Sequence, residues 1–184
     1  MRILGLDLSL SSTGYVLLDE DLVVWSGSVA GGQLRDVERL QHFDRWIRGE
    51  LRDRRFNHVG IEGYSFASQF RGPALGELGG VMKLAIHQHR IPMTIVPPST
   101  WKKALCGKGN LDKRNASVEI QRRYGVAFAN EDTLDAWAVA MYVRRQLLGL
   151  DKPEPKSRRR SKDLPLLNPA KEQALGEQVS AVPR

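Results

Sequence analysis

Thiols are almost missing from this chain. Its 184 residues include one cysteine, Cys106, which excludes an intramolecular disulfide framework and any cysteine-rich zinc site. Long apolar runs are missing too: none approaches the roughly 18 residues that a membrane span needs. Met1-Arg2-Ile3 passes straight into a strand pattern, not into a secretory leader. Acidic excess is also lacking. Lys plus Arg number 28 against 21 for Asp plus Glu, a formal charge of +7 with pI near 9.8. That balance favours a polyanionic partner, nucleic acid above all, over a merely solvated basic surface. What is present is ordinary for a soluble, intracellular globular protein: 41% hydrophobic and 27% charged residues, in a length that suits one domain with its own core.

A composition shift marks the end of the chain. From Lys152 to Lys162, the basic residues Lys152, Lys156, Arg158, Arg159, Arg160 and Lys162 stand with one acid, Glu154, and no aromatic residue follows Leu150. Such a segment cannot bury enough apolar surface to offset its ordering entropy. Residues 150–184 are therefore expected to be a flexible basic tail, with Arg158, Arg159 and Arg160 as nucleic-acid contacts or as solubilising charge. Residues 1–149 alternate between element types. Ile3–Leu8 reads as a buried strand, and Tyr15–Leu18 with Val23–Trp25 flanks the turn Asp19-Glu20-Asp21 as a hairpin. Val37, Leu40, Phe43, Ile47 and Leu51 fall at spacings of three and four, which predicts a helix over 33–54. His58–Glu62 and Thr94–Val96 read as strands, 73–89 as a helix, and Ser99 as the cap of a short helix after Pro97-Pro98. Helices near 111–124 and 132–148 complete the set. The order implies an α/β protein with a mixed sheet covered by helices on its faces.

Four acids are placed unusually. Asp7 lies in an apolar strand, Glu62 ends another, and Asp132 and Asp135 share a face at the start of a largely apolar helix. Lone acids in such runs are costly to bury unless paired or bound to a cation. With few histidines nearby and no usable thiol, they form an oxygen-ligand set of the kind that Mg²⁺ or Mn²⁺ prefers. Each acid also has an ordinary reading: Asp7 could hydrogen-bond the Ser9–Thr13 turn, Glu62 could pair with a tail arginine, and Asp132 could be a helix N-terminal acid favoured by the macrodipole.

These residues, taken in order, resemble the RuvC family of Holliday-junction resolvases, in the ribonuclease H-like superfamily. The likeness covers roughly residues 2–146. It is carried by Ile3-Leu4-Gly5-Leu6-Asp7 leading to Thr13-Gly14-Tyr15, by Val59-Gly60-Ile61-Glu62, and by Asp132-Thr133-Leu134-Asp135-Ala136. Between the last two lies a basic stretch of the form Lys-x4-Gly-x-Gly-x3-Lys, running from Lys102 to Lys113. The resemblance implies a ribonuclease H-like five-stranded sheet flanked by helices on both faces. It also implies a metal-dependent endodeoxyribonuclease that cuts four-way DNA by paired symmetric nicks, acting in the cytoplasm of a bacterium or of a phage-infected host. Asp7, Glu62, Asp132 and Asp135 are then the metal-binding catalytic carboxylates. Lys102, Lys103, Lys108 and Lys113 become DNA contacts, with Lys113 also stabilising charge at the scissile phosphate. The helix around Ala74–His87 resembles the family's dimerisation helix, where Gly76, Gly79 and Gly80 suit close packing between subunits or against the sheet. Two positions depart from the pattern. Leu8-Ser9 stands where the family has Pro-Gly, and Ser65 holds the place of its junction-probing phenylalanine. Tyr64, Phe66 and Phe70 are left as stacking candidates.

Carboxylate-bridged ions about 3.5–4 Å apart can stabilise a phosphodiester's charge, activate water and assist the leaving oxygen. Asp7 is expected to bridge two Mg²⁺ or Mn²⁺ ions, because it comes from the most buried strand. Three alternatives stand beside this reading. One is a broader nuclease for flaps or branched DNA, and another a non-catalytic DNA-binding protein on the same fold. The third is an actin-like sugar kinase, whose phosphate-binding start Asp7–Gly14 is similar to, but whose two lobes 184 residues cannot hold.

Overall fold

The computed structural model describes residues 1–63, 72–128 and 130–150. Tyr64, Phe66, Phe70 and Arg158–Arg160 lie outside that set, as does the rest of the basic C-terminal segment. The strands are β1 (Arg2–Asp7), β2 (Ser12–Asp19), β3 (Leu22–Ala30), β4 (His58–Glu62) and β5 (Met93–Val96). They form one sheet in the order β3-β2-β1-β4-β5. β1, β2 and β3 pair antiparallel, whereas β4 lies parallel to both β1 and β5. The five-stranded mixed sheet with helices on both faces is therefore present as expected.

Strand alternation decides which helix covers which face. On β1, Leu4 and Leu6 are buried in one cluster with Phe43, Ile47 and Leu51 of α1 (Asp36–Asp53) and with Leu78, Met82, Ala85 and Ile86 of α2 (Gly72–Gln88). Ile3 points the other way, into a second cluster dominated by α5 (Glu131–Leu147). Because successive side chains alternate, Gly5 and Asp7 share the α5 face with Ile3. On β4 the same logic sends Val59 and Ile61 toward α1 and α2 and leaves Gly60 and Glu62 facing α5.

Three glycines let α5 lie unusually close to the sheet. A Cβ on Gly5 would overlap the Ala136 carbonyl oxygen and stand 2.8 Å from Ala140 Cβ. On Gly60 it would meet Val139 Cγ1 at 2.7 Å, and on Gly14 it would run into the backbone of Asp132. Gly5 pairs with Gly60, and Gly14 pairs with Asp7, so the three form a shallow diagonal groove across β2, β1 and β4. Residues Thr133–Met141 of the helix seated in it are buried throughout.

Three local readings change. Val37 lies on the exposed side of α1, 75% accessible, so the buried stripe begins only at Leu40. Ser99 does not cap a helix: α3 (Pro98–Trp101) begins at Pro98 with Pro97 before it, using the fixed φ of proline where no N–H is needed. Among the described residues, nothing lies within 4 Å of where a Cβ on Gly76 or Gly80 of α2 would sit, so neither packs against the described sheet.

Candidate active site

Sheet topology brings the acids together. β1 and β4 run parallel and end side by side, so Asp7 and Glu62 project from neighbouring strand ends on the α5 face. Asn130 caps α5 by accepting from the Thr133 N–H at 2.8 Å, which sets the helix start. Asp135, one turn inside, then turns toward the sheet and is 3% exposed. One carboxylate oxygen each from Asp7, Glu62 and Asp135 lies within 4.8 Å of the others. Among the described residues, no histidine or cysteine joins them. Asp132 stands outside this group. It occupies the first turn of α5, with its backbone against Gly14, a place where the helix dipole favours an acid in any case.

The three acids border a cleft of about 320 Å³, which Leu8, Leu75, Pro98, Lys102 and Lys113 also line. Lys113 is the first residue of α4 (Lys113–Tyr124). Asp112 caps that helix, accepting from the Asn115 N–H at 2.8 Å. Lys113 Nζ lies 3.0 Å from Asp135 Oδ2 and 3.9 Å from Glu131 Oε2. Lys102 lines the cleft but its ammonium donates to the Leu111 carbonyl at 2.8 Å, tying the start of the basic loop to its end. Lys103 and Lys108 are exposed on that loop, away from the carboxylates. A π-helical turn over Lys102–Cys106 carries it out of α3, an arrangement often found beside functional sites.

Trp101 escaped the sequence reading. Fully buried, it donates its indole N–H to Glu62 Oε1 at 2.9 Å. A signal was present: β5 pairs with β4 so that Val96 lies opposite Glu62, and the short helix after Pro97-Pro98 has space for one large side chain before the basic loop. The proposed contact of Asp7 with the Ser9 turn does not form. That turn closes on itself through Thr13, whose Oγ1 accepts from Ser9 N at 3.2 Å and donates to Ser9 O at 3.1 Å.

The electrostatics are those of an overcrowded anionic site. Burial, then the charge and hydrogen bond of Glu62, push the Asp7 carboxyl up to about 9. Asp135 rises to about 6 for the same leading reasons, burial and Glu62, although Lys113 opposes the shift. Burial pulls Lys113 down, but Asp135 beside it outweighs this and the ammonium is held above its usual range. Among the described residues, Lys113 is the cation paired directly with this group, and a single ion pair does not neutralise three converging carboxylates. A divalent cation would, and the donor set of hard oxygens fits one.

Comparison with known proteins settles the family. Residues 3–142 match the family described as crossover junction endodeoxyribonuclease RuvC. The chain belongs to this family. It is 30% identical over 151 residues to the RuvC of Synechococcus sp. (strain RCC307), a match covering 77% of this chain and 96% of that protein. In fold it is similar to the Thermus thermophilus RuvC structure, with a TM-score of 0.70 at 20% identity, over 84% of this chain and all of that one. T. thermophilus RuvC in complex with a Holliday junction substrate aligns with a TM-score of 0.68 at 19% identity, over 79% of this chain and 96% of that one. Membership makes the chain a junction-resolving endodeoxyribonuclease. Among the described residues, no helix is long and apolar enough to cross a membrane.

Proposed function

We propose that this RuvC-family enzyme hydrolyses one phosphodiester on each of two opposed strands of a four-way DNA junction, using the cleft at the ends of β1 and β4. The observation that carries the reading is the convergence of Asp7, Glu62 and Asp135 in one cleft beside Lys113. Asp7, Glu62 and Asp135 would hold the metal, two Mg²⁺ or Mn²⁺ ions, with Asp132 as an outlying fourth acid. When bound, divalent ions neutralise charge on the phosphodiester and supply an activated water. The chain's own groups do the rest. Trp101 fixes the orientation of Glu62, and Lys113 can lean from Asp135 to a phosphate oxygen that gains charge as the bond breaks. Lys102 holds the loop that presents Lys113, while Lys103, Lys108 and the tail arginines Arg158, Arg159 and Arg160 add backbone contacts on the duplex arms.

Two further elements belong to the proposal. A homodimer formed through α2, whose outer side leaves Gly76, Gly80 and Leu84 exposed, would set two identical sites against the near two-fold symmetry of a junction. Residues 150–184 would act as a basic arm in a cytoplasmic nuclease. A single gel series tests the reading. Labelled four-way junction should be cut at paired symmetric positions in Mg²⁺ and left whole in EDTA, with linear duplex resistant. Removing residues 151–184 should flatten the dependence of binding on salt, by about 0.9 in log–log slope for each phosphate that the tail neutralises. Equal cutting of flaps would instead favour the broader nuclease.

Two expectations follow from the site's chemistry. Trp101→Phe keeps most of the buried ring and deletes the indole donor to Glu62. Loss of such a supporting hydrogen bond should raise the Mg²⁺ concentration for half-maximal cleavage about tenfold, with junction affinity in EDTA unchanged. A Mg²⁺ titration of the cleavage rate measures it. The second concerns pH. A carboxyl whose pKa is raised on folding stabilises the fold below its unfolded value and loses that stabilisation as pH climbs to the folded value. In EDTA, melting temperature should therefore fall between about pH 4 and pH 9 through Asp7, and added Mg²⁺ should restore it at the alkaline end. Thermal melts at several pH values, with and without the ion, decide the point.

A further inference from the structure

The Lys113–Asp135 ion pair is a wall with a cavity on either side. One side is the carboxylate cleft. The other is a second pocket of about 330 Å³, in which the same two residues are joined by Arg114, Ser117, Val118, Phe128, Asn130, Glu131 and Leu134. Its floor is apolar: Leu134 is 5% exposed, Val118 is open to solvent, and the half-buried Phe128 ring is braced against Trp137, with centroids 6.1 Å apart. Its rim is polar and mixed: the exposed Glu131 carboxylate, 3.9 Å from Lys113 Nζ, accepts, while its neighbours donate. Arg114 is an exposed guanidinium on the first turn of α4. The Asn130 side-chain carbonyl is committed to Thr133 N–H, which turns its NH₂ group to donation, and Ser117 brings a hydroxyl.

We propose that this second pocket is a nucleobase subsite, taking the base of the nucleotide next to the scissile phosphate on the cleaved strand. The assignment rests on the reading of the neighbouring cleft as the cutting site. A strand whose phosphate sits at the carboxylates meets the Lys113–Asp135 wall on one side, and the next sugar and base pass over it. Lys113 and Arg114 meet the phosphates that flank that base, which is the charge complementarity such a path needs. A braced aromatic ring with aliphatic neighbours offers the flat apolar face on which an unpaired base stacks. Bases beside a junction's exchange point are the least held by pairing, so the strand that reaches this cleft can place one there.

Single-turnover cleavage of junctions carrying an abasic nucleotide at each position flanking the cut tests the proposal in the full-length enzyme. Wild type should slow about tenfold for an abasic nucleotide immediately on one side of the cut, and much less for one two positions further out. Phe128→Leu, which keeps apolar volume and removes the ring, should lose about tenfold on intact junction and nothing more on the abasic one. Val118→Gln, an uncharged polar substitution at an exposed position, should behave the same way with an unchanged melting temperature. Equal wild-type rates on intact and abasic junctions would overturn the subsite, as would variant losses that multiply with base removal. Failure of wild type to cut any junction would bring down the reading of the cleft itself, a result plainly different from cutting that ignores the flanking base.

Discussion

Asp7→Asn should lower junction cleavage by at least three orders of magnitude while leaving junction binding intact or tighter. The amide has nearly the size of the carboxyl it replaces, so packing at the end of β1 is preserved. What changes is charge. Asp7 faces Glu62 and Asp135 in a cluster only 4.8 Å across, and its carboxyl is the one most strongly driven toward the neutral form. An ion entering the cleft must displace that proton and draw the carboxylates together. Asparagine cannot supply the anion, so the site loses a ligand common to any ion held between the two strand ends. For DNA the sign is opposite, since removing a negative charge from a phosphate-binding cleft lessens repulsion. The same substitution should abolish the alkaline fall in metal-free melting temperature and so raise stability at high pH. Cleavage assays in Mg²⁺ beside gel shifts in EDTA measure the two halves. Ordinary cutting by the variant would remove Asp7 from the chemistry.

Asp7, Glu62 and Asp135 were legible because their neighbours are apolar. An acid amid Ile3, Leu4 and Leu6, or on a helix as buried as α5, stands out against the cost of burying charge, and alternation along the strands says which way it points. The antiparallel hairpin, the long helices and the mixed sheet were legible from periodicity for the same reason. Asp132 shows the limit of that reasoning. Spacing of three places it on the same helix face as Asp135, and its backbone lies against Gly14, the partner of Asp7 on β2, yet its carboxylate is not in the group of three that lie within 4.8 Å of one another. Lys102 is a second case, because its sequence position near Lys113 does not reveal that one of its three ammonium N–H groups ties it to the Leu111 carbonyl. Trp101 was missed because an indole near a strand end reads as core. Its bulk is core, and only the bond from its single N–H to Glu62 makes it part of the site.

Glycine is the residue least legible from sequence, and it supports the second large prediction. Gly76, Gly79 and Gly80 stand out because they cluster in one helix, whereas Gly5, Gly14 and Gly60 are far apart in sequence and each looks like a weak strand residue. Strand pairing brings those three into one diagonal, and α5 lies in it. Gly5→Ala should therefore be severe, because the added methyl would overlap a backbone oxygen, that of Ala136, which no rotamer change can move. The helix would have to lift from the sheet along a fully buried interface, at a cost above the usual about 1–3 kcal/mol of overpacking. For a domain of this size the melting temperature should drop by about 10 °C or more. Gly60→Ala meets side chains, Val139 Cγ1 at 2.7 Å and Val143 Cγ2 at 2.9 Å, which can yield, and should cost clearly less. Gly49→Ala on α1, with no described atom within 4 Å of the added Cβ, should instead stabilise by about 0.5–1 kcal/mol through helix propensity. Thermal and denaturant melts of the three variants rank them. Lifting α5 also draws Asp135 away from Asp7 and Glu62, so Gly5→Ala should lose cleavage even at temperatures where it remains folded, with recovery only partial at high Mg²⁺. A Gly5→Ala enzyme as stable and active as wild type would show that α5 need not sit this close for the carboxylates to meet.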